Sequence, residues 1–323
     1  MSSIIQQMKA RVLAGEILTK QDALILYEQP LEELTTAANQ IREHFCSNAF
    51  DICTIVNAKS GRCSEDCKFC AQSAYYKTQV DEYSVLSDNE LVEQAKYNDE
   101  RGVMRYSLVT SGKKATTQEL NSICHSIKEI KKQTKIDICV SLGLLNQEQF
   151  AQLENVGITR VHNNLETSRK NFTNVCTTHT YDEKIDAIKA AQAAGLTVCS
   201  GGIMGLGESI EDRIDMIIDI RDLGVRSIPI NFINPIPGTP FANNPVLTND
   251  DACRAVAICR FLVPDAFIRL AGGRGLLSDK GYRCFCSGAN AAISGDMLTT
   301  SGTTIESDMK MIKELGYEVG HAK

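Results

Sequence analysis

Short β-branched runs alternate with segments of helical period along most of the chain. The runs are "DICTIVNA" from Asp51, "MRYSLVT" from Met104, "KIDICVSLG" from Lys135, "ITRVHNN" from Ile158, "LTVCSGGIMG" from Leu196, "SIPINFI" from Ser227, "AFIRLAGG" from Ala266 and "ANAAIS" from Ala289. They read as eight strands. Between them, Ser87 with Glu90, Thr116 with Glu119 and Thr180 with Glu183 have the spacing of capping boxes that open helices. Leu120, Ile123, Ile127 and Ile130 fall on one face after Thr116, and Gly102, Gly157, Gly195 and Gly224 stand where helices should stop. Eight strands alternating with helices predict an α/β fold with a parallel sheet, and a closed (β/α)8 TIM-type barrel is the economical arrangement at this length. A doubly wound open sheet satisfies the same alternation. Ahead of the first strand, the stripe Leu34, Ala37, Ala38 and Ile41 predicts a helix packed on the outside. The expected organisation is an N-terminal helical extension, residues 1–45, and a barrel domain, residues 46–323.

Composition narrows the function. The chain has 323 residues, 43% hydrophobic and 23% charged, with a net charge of -6. That balance lacks the basic excess that nucleic-acid binding needs, and no apolar run approaches a membrane span. The first twenty residues lack the apolar core and cleavage site of a secretory signal, so a cytoplasmic location is expected. Thirteen cysteines, an odd number, argue against a disulfide framework there and for metal or redox chemistry.

The stretch "KSGRCSEDCKFCAQS" sets Cys63, Cys67 and Cys70 in a C-x3-C-x2-C spacing just after the first strand. In a barrel that is the end where sites are built. A structural zinc site needs four protein ligands, and no fourth Cys or His lies nearby in a finger-like arrangement. Three thiolates instead suit an iron-sulfur cubane that leaves one iron open, with a zinc or redox-thiol site as the alternative. The neighbouring Lys59, Arg62 and Lys68 are expected to favour thiolates.

This triplet, with Phe69 before the last cysteine, resembles the radical S-adenosylmethionine (SAM) enzymes. Together with "HNNLETS", "CSGGIMGLGE", "PGTP" and "RLAGGR", between about Ala49 and Thr300, the chain resembles the biotin synthase family. The resemblance implies that Cys63, Cys67 and Cys70 hold a [4Fe-4S] cluster whose open iron binds SAM. It implies Phe69 along the adenine, Asn164 and Glu166 at the ribose hydroxyls, and Gly201 and Gly202 beside the nucleoside. Asn231 and His162 become candidate substrate contacts, with His162 equally readable as a core histidine. Asn164 and Arg269 are the candidate catalytic residues.

Members of that family add sulfur to dethiobiotin in two rounds of radical hydrogen abstraction, drawing the sulfur from an auxiliary cluster inside the barrel. Cys139, Cys199 and Arg269 match its ligand positions, but Ser107 in "RYSLVT" stands where a cysteine is usual. Cys53 on the first strand is the expected replacement, which leaves either [2Fe-2S] or a four-iron form for the auxiliary cluster. The resemblance also implies an external low-potential electron donor and a homodimer. Cys284 and Cys286 are the rival for that ligand position, though a packing role is expected of them, and Cys46, Cys124, Cys176, Cys253 and Cys259 are expected to be packing residues or bystanders. Related barrel enzymes, of the hydrogenase-maturation or methylornithine-synthase kind, are the rival reading, and a non-catalytic cluster scaffold or redox sensor is another.

Overall fold

The computed structural model describes residues 3–320; residues 1–2 and 321–323, the outer ends of the two expected segments, lie outside the described residues. Three helices come first, α1 (Ile4–Leu13), α2 (Lys20–Tyr27) and α3 (Leu31–Cys46). Then β1 (Ala49–Lys59), α4 (Asp88–Asp99), β2 (Arg105–Thr110), α5 (Thr117–Gln133), β3 (Asp137–Ser141), α6 (Gln147–Asn155) and β4 (Arg160–His162) alternate. The chain continues through α7 (Phe172–Val175), α8 (Tyr181–Ala193), β5 (Thr197–Cys199), β6 (Gly202–Met204), α9 (Ile210–Asp222), β7 (Ser227–Phe232), α10 (Asn249–Leu262) and β8 (Phe267–Leu270). It ends with α11 (Tyr282–Phe285), β9 (Ala291–Ser294), α12 (Ile305–Glu314) and β10 (Glu318–Val319).

Every strand pairing is parallel, and β9 pairs with β1, so the sheet closes on itself. Closure decides for the barrel over the open sheet. All eight expected strands are present. The fifth is interrupted into β5 and β6, because a side chain at Gly201 would put its Cβ 1.8 Å from the Pro229 carbonyl oxygen. Only glycine admits that approach, and the strand bends there.

Local signals act as their chemistry requires. Capping boxes form at Ser87, Thr116 and Thr180. Others form at Thr19, Asn146, Ser209 and Thr248, where Asp or Gln replaces Glu at the third helical position. Gly102, Gly157, Gly195 and Gly224 all have φ between 72° and 86°, the left-handed conformation that ends a helix. The stripe Leu34, Ala37, Ala38 and Ile41 is fully buried, and α3 packs against α10. The two-residue β10, which extends β1 at Ala49 and Phe50, is too short and exposed to show a pattern. No helix among the described residues is long and apolar enough to cross a membrane.

Strand alternation sorts the barrel wall. Ile52, Tyr106, Leu108, Ile138, Val140, Val161, Val198, Ile228, Ile230, Ile268 and Leu270 are buried in the main apolar core, opposite in period to the residues that line the barrel interior.

Candidate active site

Parallel pairing sets the inward-facing residues of the strands side by side around one cavity. Ser107 pairs with Cys139, Cys139 with Arg160, His162 with Cys199, Cys199 with Ser227, and Pro229 with Arg269. Cys53 pairs with Arg105 on one side and Ile293 on the other. Strand alternation turns Cys53, Cys139 and Cys199 to the same inner side, and they line one cavity although 146 residues separate the outer two. Arg269 Nη1 donates to Cys53 Sγ at 3.2 Å, and Ser227 Oγ donates to Cys199 Sγ at 3.2 Å.

Beneath these thiols lies a charge cluster absent from the sequence reading. Asp51 is fully buried, and its carboxylate meets Arg269 at 2.9 Å, Arg105 at 3.0 Å and Arg160 at 3.2 Å. Burial opposes its charge, but the three guanidinium groups hold the Asp51 carboxyl well below the usual carboxylate range. Asp137 also reaches Arg105, at 3.4 Å from a half-exposed position, and two carboxylates against three guanidinium groups still leave the floor positive. Burial likewise opposes ionisation of Cys199, yet a hydrogen bond from His162 and the charges of His162, Arg269 and Arg160 bring that thiol down to about 6. Burial keeps Cys139 pushed up to about 12 and raises Cys53. His162, a candidate substrate contact, is thus set against Cys199.

The three-cysteine loop lies over the open end of the barrel. Cys63 N–H donates to the Gln72 carbonyl, Cys70 N–H to that of Cys67, and Lys68 N–H to that of Val175. Two of the three flanking cations are engaged by carboxylates. Lys59 pairs with Glu119 at 2.7 Å and Arg62 with Glu82 at 2.6 Å, because each finds a carboxylate on its own side of the loop. Burial pushes Cys70 up to about 11. Cys67 is raised by the hydrogen bond it shares with Cys176, then by burial, with Lys184 the one cation among its main influences.

The segment after β4 clamps onto the glycine run. Leu165 and Glu166 N–H groups donate to the Gly201 carbonyl, and Ile203 N–H donates to that of Glu166. Asn164 Oδ1 accepts from Gly201 N–H at 3.1 Å, and its amide donates to Glu166 at 3.3 Å. Glu166 has φ of 69°, a strained value for a non-glycine residue that the clamp enforces. A Cβ on Gly202 would meet Met216 Sδ at 2.2 Å and the Glu166 carbonyl oxygen at 2.6 Å, so both glycines form the wall behind the cavity. Asn231 accepts from Gly272 N–H at 2.9 Å and donates to the Gly202 carbonyl at 3.1 Å. Its amide keeps one further N–H to donate and one further oxygen lone pair to accept.

One cavity of about 400 Å³ gathers these groups. Cys53, Cys63, Cys67, Phe69, Cys70, Cys139, His162, Asn164, Glu166, Cys199, Asn231 and Arg269 all line it; Gly201 and Gly202 do not. Phe69 packs with Val175, Leu206 and Ile233 and presents an apolar wall. Arg105 Nε and Asn163 Nδ2, on two further lining residues, are buried donors with no acceptor among the described residues. Six thiols in two groups and spare buried donors fit thiolate-held iron-sulfur clusters and a polar, anionic ligand. Sequence reading missed Asp51, Arg160, Asn163 and Lys184. The first three carry no local pattern; Lys184 sits inside an ordinary helix.

Of the other cysteines, Cys284 is buried 3.7 Å from Cys253, and Cys286 is exposed. Cys176 is no bystander, since it contacts Asp66, Thr178 and His179 beside Cys67.

Comparison with known proteins agrees with this geometry. The profile of the radical SAM superfamily matches residues 58–220, and that of the biotin and thiamin synthesis associated domain matches residues 229–318. The biotin synthase of Brachyspira hyodysenteriae is 57% identical over 98% of this chain and 95% of its own length. That of Akkermansia muciniphila is 55% identical over 98% of this chain and 99% of its own. Among solved structures, methylornithine synthase superposes with a TM-score of 0.85 at 18% identity over 98% of each chain, a likeness of fold alone. Full-length identity above one half, with both domain profiles in order, leaves one assignment: the chain belongs to the biotin synthase family of radical SAM enzymes.

Proposed function

We propose that this protein converts dethiobiotin to biotin, with Cys63, Cys67 and Cys70 holding the SAM cluster and Cys53, Cys139 and Cys199 holding an auxiliary cluster beside Arg269. The observation that carries this reading is the convergence of both cysteine groups on one cavity. When bound, SAM and its cluster supply a hydrogen-abstracting carbon radical, and the auxiliary cluster supplies sulfur.

The chain's own residues hold and shield. The Phe69 wall suits a flat nucleobase, and Asn164 and Glu166 offer polar groups at its edge. Asn231, fixed to the backbone of Gly202 and Gly272, keeps a donor and an acceptor for a cyclic urea. Arg105 Nε and Asn163 Nδ2 supply buried donors for anionic groups. The apolar cavity residues Ile55, Val109, Ile203, Ile236 and Ile293 keep out water that would quench a radical. Cys53, in register with Arg105 and two residues along β1 from the partner of Ser107, lines the same cavity as Cys139 and Cys199, and stands in for the thiol that Ser107 lacks in a four-iron auxiliary form rather than [2Fe-2S]. Thirteen unpaired thiols suit a reducing cytoplasm, and the electron donor is external.

Anaerobically reconstituted protein given dethiobiotin, SAM and a strong reductant is expected to yield biotin and 5′-deoxyadenosine. Neither product from fully loaded protein rejects the proposal. Sedimentation of the same preparation tests the expected homodimer.

A further inference from the structure

Cys176 has no part in either proposed cluster, yet its surroundings are built. The ligand atoms of Cys67, Cys176 and His179 all lie within 4.8 Å of one another, with Cys176 Sγ 3.3 Å from His179 Nδ1. Metal–sulfur bonds of about 2.3 Å and metal–nitrogen bonds of about 2.05 Å at tetrahedral angles put ligand atoms roughly 3.6–3.8 Å apart. Shifts of about 1 Å or less therefore bring all three around one ion. Cys176 and His179 are 2% and 7% exposed, while Cys67 lines the cavity, so an ion reaches the trio from the cavity side.

The segment that carries Cys176 and His179 is rigidly held. Asp66 accepts from the N–H groups of Thr177 at 2.8 Å and Thr178 at 3.2 Å, which pins the turn between them. Glu65 Oε2 lies 2.6 Å from His179 Nδ1 and accepts from Thr178 Oγ1 at 2.8 Å. The Phe172 ring packs edge-on against the imidazole, 5.5 Å between centroids. Asp66 and the Phe172 ring keep the segment and the imidazole in place whether or not an ion binds, whereas the Glu65 contact is on the nitrogen the ion takes and is given up.

We propose that Cys67, Cys176 and His179 form a mononuclear site for a borderline divalent cation, ferrous iron or zinc, in the cluster-free protein, with water as the fourth ligand. Two thiolates and one imidazole select such ions over magnesium or calcium. The ion replaces both thiol protons and the proton that Nδ1 shares with Glu65, whose carboxylate keeps the hydroxyls of Thr178 and Ser64. Two thiolates then balance the dication. Building the SAM cluster takes Cys67 away, so cluster and mononuclear ion exclude each other. That exclusion rests on the assignment of Cys67 to the cluster; the site itself does not.

The test is an anaerobic cobalt(II) titration of reduced, cluster-free protein. One equivalent is expected to show the visible bands of tetrahedral cobalt with thiolate charge transfer, and X-ray absorption is expected to show one imidazole in its first shell. Cys176→Ala and His179→Gln should each weaken that equivalent by at least about tenfold, and Cys63→Ala should leave it intact. A first shell without imidazole in the unmutated protein overturns the proposal, whether or not a variant folds. So does a tight equivalent that survives both substitutions, or one lost in Cys63→Ala, which would belong to the three-cysteine loop. After iron and sulfide reconstitution the equivalent should vanish, and its persistence beside a complete cluster overturns the exclusion. Failure of the biotin synthase reading shows separately, as missing biotin with the cobalt bands unchanged.

Discussion

Asp51→Asn keeps the shape of a fully buried side chain and removes the only carboxylate that faces three arginines at once. The contacts at 2.9, 3.0 and 3.2 Å put charge centres about 4 Å apart, and each attraction is then worth roughly 4 kcal/mol at an effective dielectric of about 20. Desolvation of all four groups offsets much of this, and breaking a buried pair costs about 3–5 kcal/mol net. Asparagine loses three pairs together and turns an N–H toward a guanidinium, so the upper end, about 5 kcal/mol, is expected. A domain's whole stability is about 5–15 kcal/mol, which leaves the cluster-free variant near unfolding. Bound clusters bring negative charge to the same arginines, so the loaded variant should lose less. Anaerobic urea unfolding followed by circular dichroism reads both states, comparing midpoints at unchanged slope. A loss under about 1 kcal/mol without clusters, or equal midpoint shifts with and without them, would refute the reasoning.

Cys53→Ser should remove the iron and sulfide of the auxiliary cluster and spare those of the SAM cluster; Mössbauer spectra showing both clusters intact would reject Cys53 as a ligand. Gly201→Ala drives a Cβ to 1.8 Å from a backbone oxygen that cannot step aside, and should cost more than about 3 kcal/mol in urea unfolding. Gly195→Ala, with φ of 83° but open space, should cost only about 1–2 kcal/mol, and equal losses at the two glycines would contradict the packing argument. The hydrogen bond from Arg11 holds Asp22 at about 2, against partial burial and with help from Thr19 N–H. Its folded pKa lies below the unfolded value of about 3.9, so the pair stabilises α1 against α2 above about pH 4 and fades toward pH 2. Asp22→Asn should flatten the melting temperature across that window, by a small amount because the pair is partly solvent-screened.

Much of this architecture was legible in one dimension. Each expected strand exists, since β-branched runs bounded by turns need only local chemistry and a hydrophobic side to face. Ser87, Thr116 and Thr180 cap helices for the same reason, and the Cys63–Cys67–Cys70 spacing is itself local. Thr248 with Asp251 forms a capping box by the same local pairing of hydroxyl and carboxylate. The partners of the flanking lysine and arginine of the cysteine loop were not legible, because a cation near in sequence is drawn to whichever carboxylate is near in space.

The sequence by itself determined the elements, their order and the thiols available. Closure of β9 onto β1 and the register between strands decided the rest. They place Asp51 among Arg105, Arg160 and Arg269, set His162 against Cys199, and bring Cys53 into one cavity with Cys139. The loop after α7 brings Cys176 and His179 behind Cys67. Hydrophobic period and capping chemistry act over a few residues along the chain, whereas charge pairing and metal ligation act over a few ångströms, and only the folded barrel turns one distance into the other.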